Sequence, residues 1–273
     1  MMDQRLNVSQ VNLTPTMQCN LKCRLCGVLV PQYDYRPQMT ADEFEDTLTA
    51  LFQVVDKVGR LQITGGEPLL HPQLENLLSS CFKYQEHFDE MWLFSNCAVP
   101  LRSNVLKVLE DHKEQVVVHC SDYGVRPDVA AQNQDLLIKS GIKYKYLKYY
   151  GENQYCDGWV DNGDFVPHNR TDEENKAVFA ACSHVNRGGS WYIRHGQMHW
   201  CGRSVRGTEL GKIPLHQQDY VDILDPKTTV EEKQHQLKEL MQVNMITACD
   251  YCNGYYGTTD EEKRYPAGEQ ISC

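Results

Sequence analysis

Three cysteines close to the N-terminus have the types and spacing of an iron–sulfur site. Cys19, Cys23 and Cys26 lie in the run Cys-Asn-Leu-Lys-Cys-Arg-Leu-Cys. A loop of this spacing can wrap three thiolates around one face of a [4Fe–4S] cubane, which leaves the fourth iron without a protein ligand. An iron that is open in this way can bind a reactive molecule. A fragment of a zinc site is the alternative, although zinc fingers present their ligands in pairs and need a fourth.

A second motif, Gly65-Gly66-Glu67-Pro68, directly follows a predicted strand. Glycines allow a backbone to approach a ligand closely, although this tetrapeptide by itself could be an ordinary turn. Together with the cysteine spacing, the motif resembles the signature of the radical S-adenosylmethionine (SAM) superfamily. The resemblance implies that the open iron chelates SAM and that an electron from the reduced cluster splits SAM into methionine and a 5′-deoxyadenosyl radical. It also implies that backbone groups of the tetrapeptide hold the amino group of SAM, while Glu67 braces the loop.

Polar residues end the next two predicted strands, at Ser95-Asn96 and Ser121-Asp122. Barrel-type sheets bind ligands at the carboxyl edges of their strands, so these residues are candidates for contact with SAM. By resemblance, Ser121 lies where the superfamily contacts the ribose hydroxyls or the carboxylate of SAM. Asp122 is the neighbouring candidate, and Asn96 occupies the preceding strand end. Formation of a turn is the alternative role for each of them.

Four further cysteines, Cys182, Cys201, Cys249 and Cys252, form a second group in the C-terminal part of the chain. By ligand count alone, four thiolates could enclose either a zinc ion or a cluster. Their separation by 18, 47 and two residues resembles the twitch domain, a shortened SPASM domain, of 2-deoxy-scyllo-inosamine dehydrogenase. The resemblance implies an auxiliary [4Fe–4S] cluster held by these four cysteines.

The segment from Gly151 to Thr171 is rich in Gly, Asn, Asp and aromatic residues and is predicted to be a long loop near the mouth of the active site. Arg170, His168 and Glu152 are its candidates for a catalytic base or for a group that anchors a hydroxyl. Cys156 is a candidate for returning a hydrogen atom to substrate, because radical SAM epimerases use a cysteine in this way.

Strands and helices alternate regularly through the first 150 residues, which predicts a parallel sheet with helices packed outside it. Five predicted strands fall short of the eight that close a TIM barrel. The predicted fold class is therefore α/β, with an open partial (β/α) TIM-like barrel in residues 1–170. Residues 171–273 are predicted to form a small twitch-type α+β module, with a hairpin at Ser190 to Trp200 that turns near His195-Gly196.

The composition of the chain argues against nucleic acid and membranes as binding partners. The chain has 273 residues, twelve cysteines and a formal net charge of −10, which opposes broad contact with nucleic-acid phosphates. It contains no apolar run of about 20 residues, and its N-terminus lacks the apolar core of a signal peptide. We therefore expect a cytoplasmic protein that does not bind membranes, in which clustered cysteines bind metal rather than form disulfides.

The reaction expected from the resemblance is oxidation of a hydroxyl-bearing carbon in a small molecule such as a sugar, an aminocyclitol or a sugar derivative. The auxiliary cluster would accept an electron, and a reductase such as flavodoxin or ferredoxin would supply the first one. A radical SAM epimerase and a peptide-modifying maturase are the alternatives within enzymes. A non-catalytic iron–sulfur or zinc-binding protein is the alternative outside them.

Overall fold

A computed structural model of the chain describes residues 6–155, 159–186, 188–254 and 264–271. One mixed sheet of eight strands organises it, in the spatial order β5-β4-β3-β2-β1-β6-β7-β8. The strands are β1 Asn7–Thr16, β2 Lys57–Gly65, β3 Phe88–Ser95, β4 Val116–Asp122, β5 Lys143–Lys148, β6 Trp191–Arg194, β7 Gln197–His199 and β8 Tyr220–Asp222. The helices are α1 Ala41–Val54, α2 Leu74–Phe82, α3 Ser103–Asp111, α4 Pro127–Lys139, α5 Asp172–Ala181, α6 Ser183–Asn186, α7 Gly202–Glu209 and α8 Val230–Leu240.

The sheet is open, with β5 and β8 as its two edges. β1 to β5 pair in parallel in chain order, as the βα alternation predicts. The α/β class and the unclosed partial barrel are therefore confirmed. The carboxyl ends of the parallel strands meet at one edge of the sheet, and the cysteine loop, the glycine motif and the polar strand ends all begin there.

Local sequence explains why the first crossover helix forms where it does. The Thr40 side chain accepts a hydrogen bond from the backbone N–H of Glu43, and the Glu43 carboxylate accepts one from the N–H of Thr40, which completes a capping box. Phe44, Leu48 and Leu51 recur on one face of α1 and are fully buried in the main core. Burial of each such side chain contributes about 1.5–3 kcal/mol, so the amphipathic face holds α1 on the sheet.

The C-terminal hairpin joins the same sheet. β6 and β7 form the predicted turn at His195-Gly196, but β6 also pairs in parallel with β1. The amide of Asn12 in β1 supports this pairing, because its Nδ2 donates to the Trp191 carbonyl at 3.0 Å and to Ser190 Oγ at 3.0 Å. The hydrogen-bonded sheet thus crosses the boundary predicted at residue 170, and the division into two domains stays a prediction.

Other elements differ from expectation in detail. The chain turns in short 3-10 segments at Pro68–Leu70 and Gln85–His87 on either side of α2, which limits that helix to nine residues. Neither α7 nor β8 was expected. Within the described residues, no helix combines the length and apolarity needed to cross a bilayer.

Candidate active site

The three N-terminal cysteines lie in the loop that follows β1 and face one cavity of about 160 Å³. This first-cluster cavity is bounded on its other sides by the carboxyl ends of β2, β3 and β4. Its lining includes Cys19, Cys23, Cys26, Gly65, Gly66, Ser95, Asn96, Ser121 and Trp159. Parallel strand order therefore brings together the thiols and most of the polar residues that sequence reasoning selected for SAM.

Hydrogen bonds to the sulfur atoms hold two of these thiols in position. Cys19 Sγ accepts from the backbone N–H of Leu21 at 3.4 Å and from Asn96 Nδ2 at 3.8 Å. Cys23 Sγ accepts from Gln270 Nε2 at 3.3 Å. Burial raises the pKa of Cys19 to about 11 and that of Cys23 to about 12. Both are protonated thiols at neutral pH in the metal-free chain, and binding to iron would release their protons.

The glycine motif is fitted against the backbone that leads into the cysteine loop. The N–H of Gly66 donates to the Thr16 carbonyl at 2.9 Å, and the N–H of Glu67 donates to the Gln18 carbonyl at 2.7 Å. A Cβ at Gly65 would lie 2.4 Å from the Thr16 oxygen, and one at Gly66 would lie 2.1 Å from the Gln18 oxygen. The glycines are therefore required for contact between two protein segments, in addition to their place in the cavity wall.

Glu67 braces the loop, as expected, and does not line the cavity. Its side chain is fully buried and accepts hydrogen bonds from the backbone N–H of Leu69 at 3.0 Å and of Asn96 at 2.7 Å. Burial raises the pKa of this carboxyl to about 7 against those hydrogen bonds. Glu67 thereby ties the end of β2 to the end of β3, and the buried Pro68 begins the 3-10 turn that follows.

Among the predicted SAM contacts, Asn96 and Ser121 line the first-cluster cavity. Asp122 is buried beside it, where its Oδ1 accepts from the N–H of Gly124 at 2.8 Å and its Oδ2 accepts from Tyr146 Oη at 2.6 Å. These bonds give Asp122 the structural, turn-forming role that was its alternative. Its contact with SAM stays a prediction.

The four C-terminal cysteines also converge. Cys182 ends α5, Cys201 caps the start of α7, and Cys249 and Cys252 lie in and just after a 3-10 turn at Thr247–Cys249. All four line one small apolar cavity of about 50 Å³, which we call the auxiliary cavity. Cys201 Sγ and Cys252 Sγ each accept a backbone N–H at 3.3 Å, from Ser204 and Gly254 respectively.

Burial favours the protonated, uncharged form of the thiols in the auxiliary cavity. Burial raises the pKa values of Cys201 and Cys249 to about 12 and also raises that of Cys252. Across the described residues, no group of three or more His, Cys, Asp or Glu side chains is arranged to hold a single metal ion. Ligand count alone allows either a zinc ion or a cluster at the four C-terminal cysteines, so the auxiliary [4Fe–4S] cluster stays a prediction.

A third cavity, of about 310 Å³, lies between the other two and touches both cysteine regions. Leu25, Gly27 and Val28 line it from the cysteine loop, and Cys182, Cys201 and Cys252 line it from the auxiliary side. We call it the central cavity. Its polar lining residues, which sequence reasoning missed, are Asn12, Gln62, Thr64, Asn162, His184, Tyr192, Arg203 and Arg206.

For two of these residues, the sequence contains a pattern that could have predicted their place in a cavity wall. Asn12 and Gln62 are direct partners across β1 and β2, and both alternate with the buried apolar residues Val11, Leu13 and Leu61. Polar residues at alternate positions of an otherwise apolar buried strand indicate a face that lines a polar interior. Arg203 and Arg206 had no such signal, since α7 itself was not predicted.

Part of this chain is similar in sequence to GTP 3′,8-cyclases. The chain is 27% identical over 124 residues to the GTP 3′,8-cyclase of Campylobacter jejuni subsp. doylei, which covers 41% of this chain and 38% of the relative. It is 28% identical over 140 residues to the GTP 3′,8-cyclase of Aquifex aeolicus, which covers 50% of this chain and 40% of the relative. The matches thus span less than half the length of these relatives. No protein-family model matches the sequence.

Two solved structures share the fold over most of the chain. BtrN, solved in complex with AdoMet and 2-DOIA, has a TM-score of 0.57 and 14% identity and covers 93% of this chain and 96% of its own. anSMEcpe with bound AdoMet has a TM-score of 0.52 and 11% identity and covers 90% and 82%. At 14% and 11% identity, these two structures by themselves show a shared fold alone. Together with the partial matches to the GTP 3′,8-cyclases, they support the radical SAM resemblance.

The catalytic candidates of the radical SAM resemblance are not brought together in the central cavity. Arg170 donates from Nη1 to the carbonyls of Cys249 at 2.9 Å and Cys252 at 3.0 Å, so it supports the auxiliary loop. His168 and Glu152 are exposed, and neither is among the described residues that line the three cavities. Cys156 lies outside the described residues. Their catalytic roles stay predictions.

Proposed function

We propose that this chain is a radical SAM oxidoreductase that oxidises a hydroxyl-bearing carbon of a small molecule, such as a sugar, an aminocyclitol or a sugar derivative. The observation that supports it is the central cavity, which is bounded by the cysteine loop on one side and by three of the auxiliary thiols on the other. A small molecule in this space would lie between a source of radicals and an acceptor of electrons.

The first-cluster cavity supplies the groups for SAM. Cys19, Cys23 and Cys26 would hold a cluster with one open iron, at which reductive cleavage of SAM supplies a 5′-deoxyadenosyl radical. The cavity wall formed by Gly65 and Gly66 and the polar side chains of Asn96 and Ser121 would orient SAM. A reductase such as flavodoxin or ferredoxin is the proposed source of the electron.

The proposed oxidation balances across the central cavity. The hydrogen atom on the substrate carbon would go to 5′-deoxyadenosyl, the hydroxyl proton would go to a base, and one electron would go to the group held by the auxiliary cysteines. Four thiolates from Cys182, Cys201, Cys249 and Cys252 would leave that cluster without an open iron, which suits electron transfer rather than ligand binding. The substrate is thereby oxidised by two electrons to a ketone or an aldehyde.

A direct test follows deuterium. The iron-loaded protein is incubated anaerobically with SAM, a reductant and a panel of sugars and aminocyclitols deuterated at carbinol carbons. We expect deuterium in 5′-deoxyadenosine together with a carbonyl product. In a variant with all four auxiliary cysteines replaced by Ala, SAM cleavage should persist while the carbonyl product is lost. Undiminished carbonyl product in that variant would contradict the role of electron acceptor.

Nucleotide chemistry is a second candidate, favoured by the relatives that are GTP 3′,8-cyclases. Because the matches cover 38% and 40% of those relatives, they bear on only part of such an activity. GTP deuterated on its ribose belongs in the same panel. Transfer of ribose deuterium into 5′-deoxyadenosine, with a cyclised and unoxidised product, would support this candidate over the dehydrogenase.

A further inference from the structure

Arg206 is a buried cation in the wall of the central cavity. It lies on α7, is 3% exposed and is held by neighbours from three elements. Its Nη2 donates to Thr14 Oγ1 at 3.0 Å, its Nη1 donates to the Gly202 carbonyl at 3.3 Å, and its guanidinium lies 5.4 Å from the centre of the Tyr192 ring. These contacts fix the position of the guanidinium, and all of them are uncharged.

Within the part of the chain that the structure describes, no Asp or Glu forms an ion pair with Arg206. A second buried arginine, Arg194, does have a carboxylate partner, because its Nε forms an ion pair with Glu209 Oε1 at 2.9 Å. Removal of a charge from water is costly unless a counter-charge compensates it. The acidic groups near Arg206 are Tyr192, Tyr33 and Cys26. None of them is a carboxylate, and an anionic group of a bound molecule would therefore supply the paired oxygens that the chain does not.

The rest of the cavity lining contains no carboxylate among its described residues, although the chain as a whole has a net charge of −10. Its acidic groups on the auxiliary side are the thiols of Cys182, Cys201 and Cys252. Arg203 is the other arginine of the lining, but its Nε and Nη2 donate to the carbonyls of Tyr251 and Gly163. Arg206 is thus the cation best placed to meet a molecule in this space.

We infer that Arg206 binds an anionic group of the substrate, either a carboxylate or a phosphate ester. This inference rests on the proposed function, which puts the substrate in the central cavity. A guanidinium presents paired N–H donors that match the oxygens of both groups. A substrate anchored in this way would be a sugar acid or a sugar phosphate rather than a neutral or amino sugar. SAM also carries a carboxylate, so the experiment must separate binding of SAM from binding of substrate.

The first measurement needs no variant. Calorimetry on the iron-loaded, SAM-bound protein under anaerobic conditions would compare glucuronate with glucose and glucose 6-phosphate with glucose, with pyrophosphate as a minimal anion. We expect saturable binding of at least one anion, tighter than its neutral counterpart by at least about tenfold, the ratio that corresponds to about 1.4 kcal/mol. The two charged sugars distinguish a carboxylate from a phosphate ester as the recognised group.

Variants then assign the preference to Arg206. Arg206→Gln should abolish the charged-over-neutral ratio, and Arg206→Lys should retain part of it because the charge remains. Arg126→Gln, at an exposed arginine paired with Asp128, is the matched control and should leave the ratio unchanged. Thermal unfolding of each variant reports whether it is folded, and a direct SAM titration reports whether the cofactor site is intact.

Three results would overturn the inference. The first is saturable binding of none of the anions to the wild-type protein, and the second is equal binding of charged and neutral sugars. The third is an Arg206→Gln variant that keeps its preference among sugars, and a loss of SAM affinity in that variant would assign Arg206 to the cofactor. Anion binding without any formation of 5′-deoxyadenosine would instead count against the proposed function alone, so the two failures are distinguishable.

Discussion

Gln270 donates a hydrogen bond from Nε2 to Cys23 Sγ at 3.3 Å, across 247 positions of sequence. The segment around it lies along the cysteine loop like an added strand. The N–H of Ile271 donates to the Lys22 carbonyl at 2.8 Å, and the N–H of Arg24 donates to the Glu269 carbonyl at 2.7 Å. A residue far along the chain thus becomes a neighbour of a proposed cluster ligand.

This contact predicts a change in the potential of the first cluster. Donors to ligand sulfur stabilise the reduced form, so Gln270→Leu should lower the reduction potential. A hydrogen bond of about 1 kcal/mol corresponds to about 40 mV for a one-electron couple. Redox titration followed by electron paramagnetic resonance would measure it. Gln134→Leu, which removes an amide on α4, is the control, and an equal potential in both variants would contradict the prediction.

Iron content should separate the two thiol groups. With both cubanes loaded, the protein should contain about eight irons per chain, and Cys201→Ala should reduce this to about four. Cys81→Ala is the matched control, because Cys81 is fully buried in the main core on α2, and it should leave the count unchanged. A count near eight in the Cys201→Ala variant would mean that this thiol holds no essential iron.

Gly66→Ala should destabilise the fold through a backbone clash. The added Cβ would lie 2.1 Å from the Gln18 carbonyl oxygen. That oxygen accepts a hydrogen bond from the Glu67 N–H, so it cannot move away without weakening this bond. We expect a loss of about 1–3 kcal/mol in the free energy of unfolding. Gly27→Ala is the control for stability, since no atom lies within 4 Å of its Cβ position. Equal urea midpoints for the two variants would argue against this tight fit.

Glu67 should make stability depend on pH in an unusual direction. Burial raises its pKa from 4.5 to about 7, so the folded chain binds the proton more tightly than the unfolded chain does. The stabilisation is complete below about pH 4.5 and is lost as the pH rises through about 7, a decline of about 3 kcal/mol.

The measurement is urea unfolding of the wild type and Glu67→Gln at several pH values under anaerobic conditions. The variant lacks the titrating group, so the difference between the two profiles should contain this decline. Its overall stability should also fall, because one amide N–H₂ would face a backbone N–H donor. Parallel profiles would show that Glu67 does not titrate in this range.

Local sequence patterns were sufficient to predict the parallel strands and several caps and turns. The Thr40–Glu43 capping box, the turn at His195-Gly196 and the parallel order of β1 to β5 all follow from caps, turn residues and alternation over short distances. The convergence of the thiols with Asn96 and Ser121 follows as well, because parallel strands end at a common edge.

Contacts between distant segments were beyond such patterns. The sequence of α7 contains no pattern that predicts the hydrogen bond between Arg206 and Thr14 of β1. The sequence around Gln270 likewise contains none that predicts its hydrogen bond to Cys23. The loop candidates failed to gather for the same reason: Arg170 is drawn to the carbonyls of Cys249 and Cys252 by a hydrogen-bonding need that appears only after the chain has folded.

The parallel pairing of β6 with β1 has a consequence for motion. β1 runs into the loop of Cys19, and β7, the partner of β6, runs into Cys201. Strands in a hydrogen-bonded ladder keep a spacing of about 4.8 Å, so the span between the two sulfur-rich pockets is set by a rigid lattice rather than by a hinge. Under the proposed function, the distance between the two cysteine sites would therefore stay constant while a substrate enters and leaves the cavity between them.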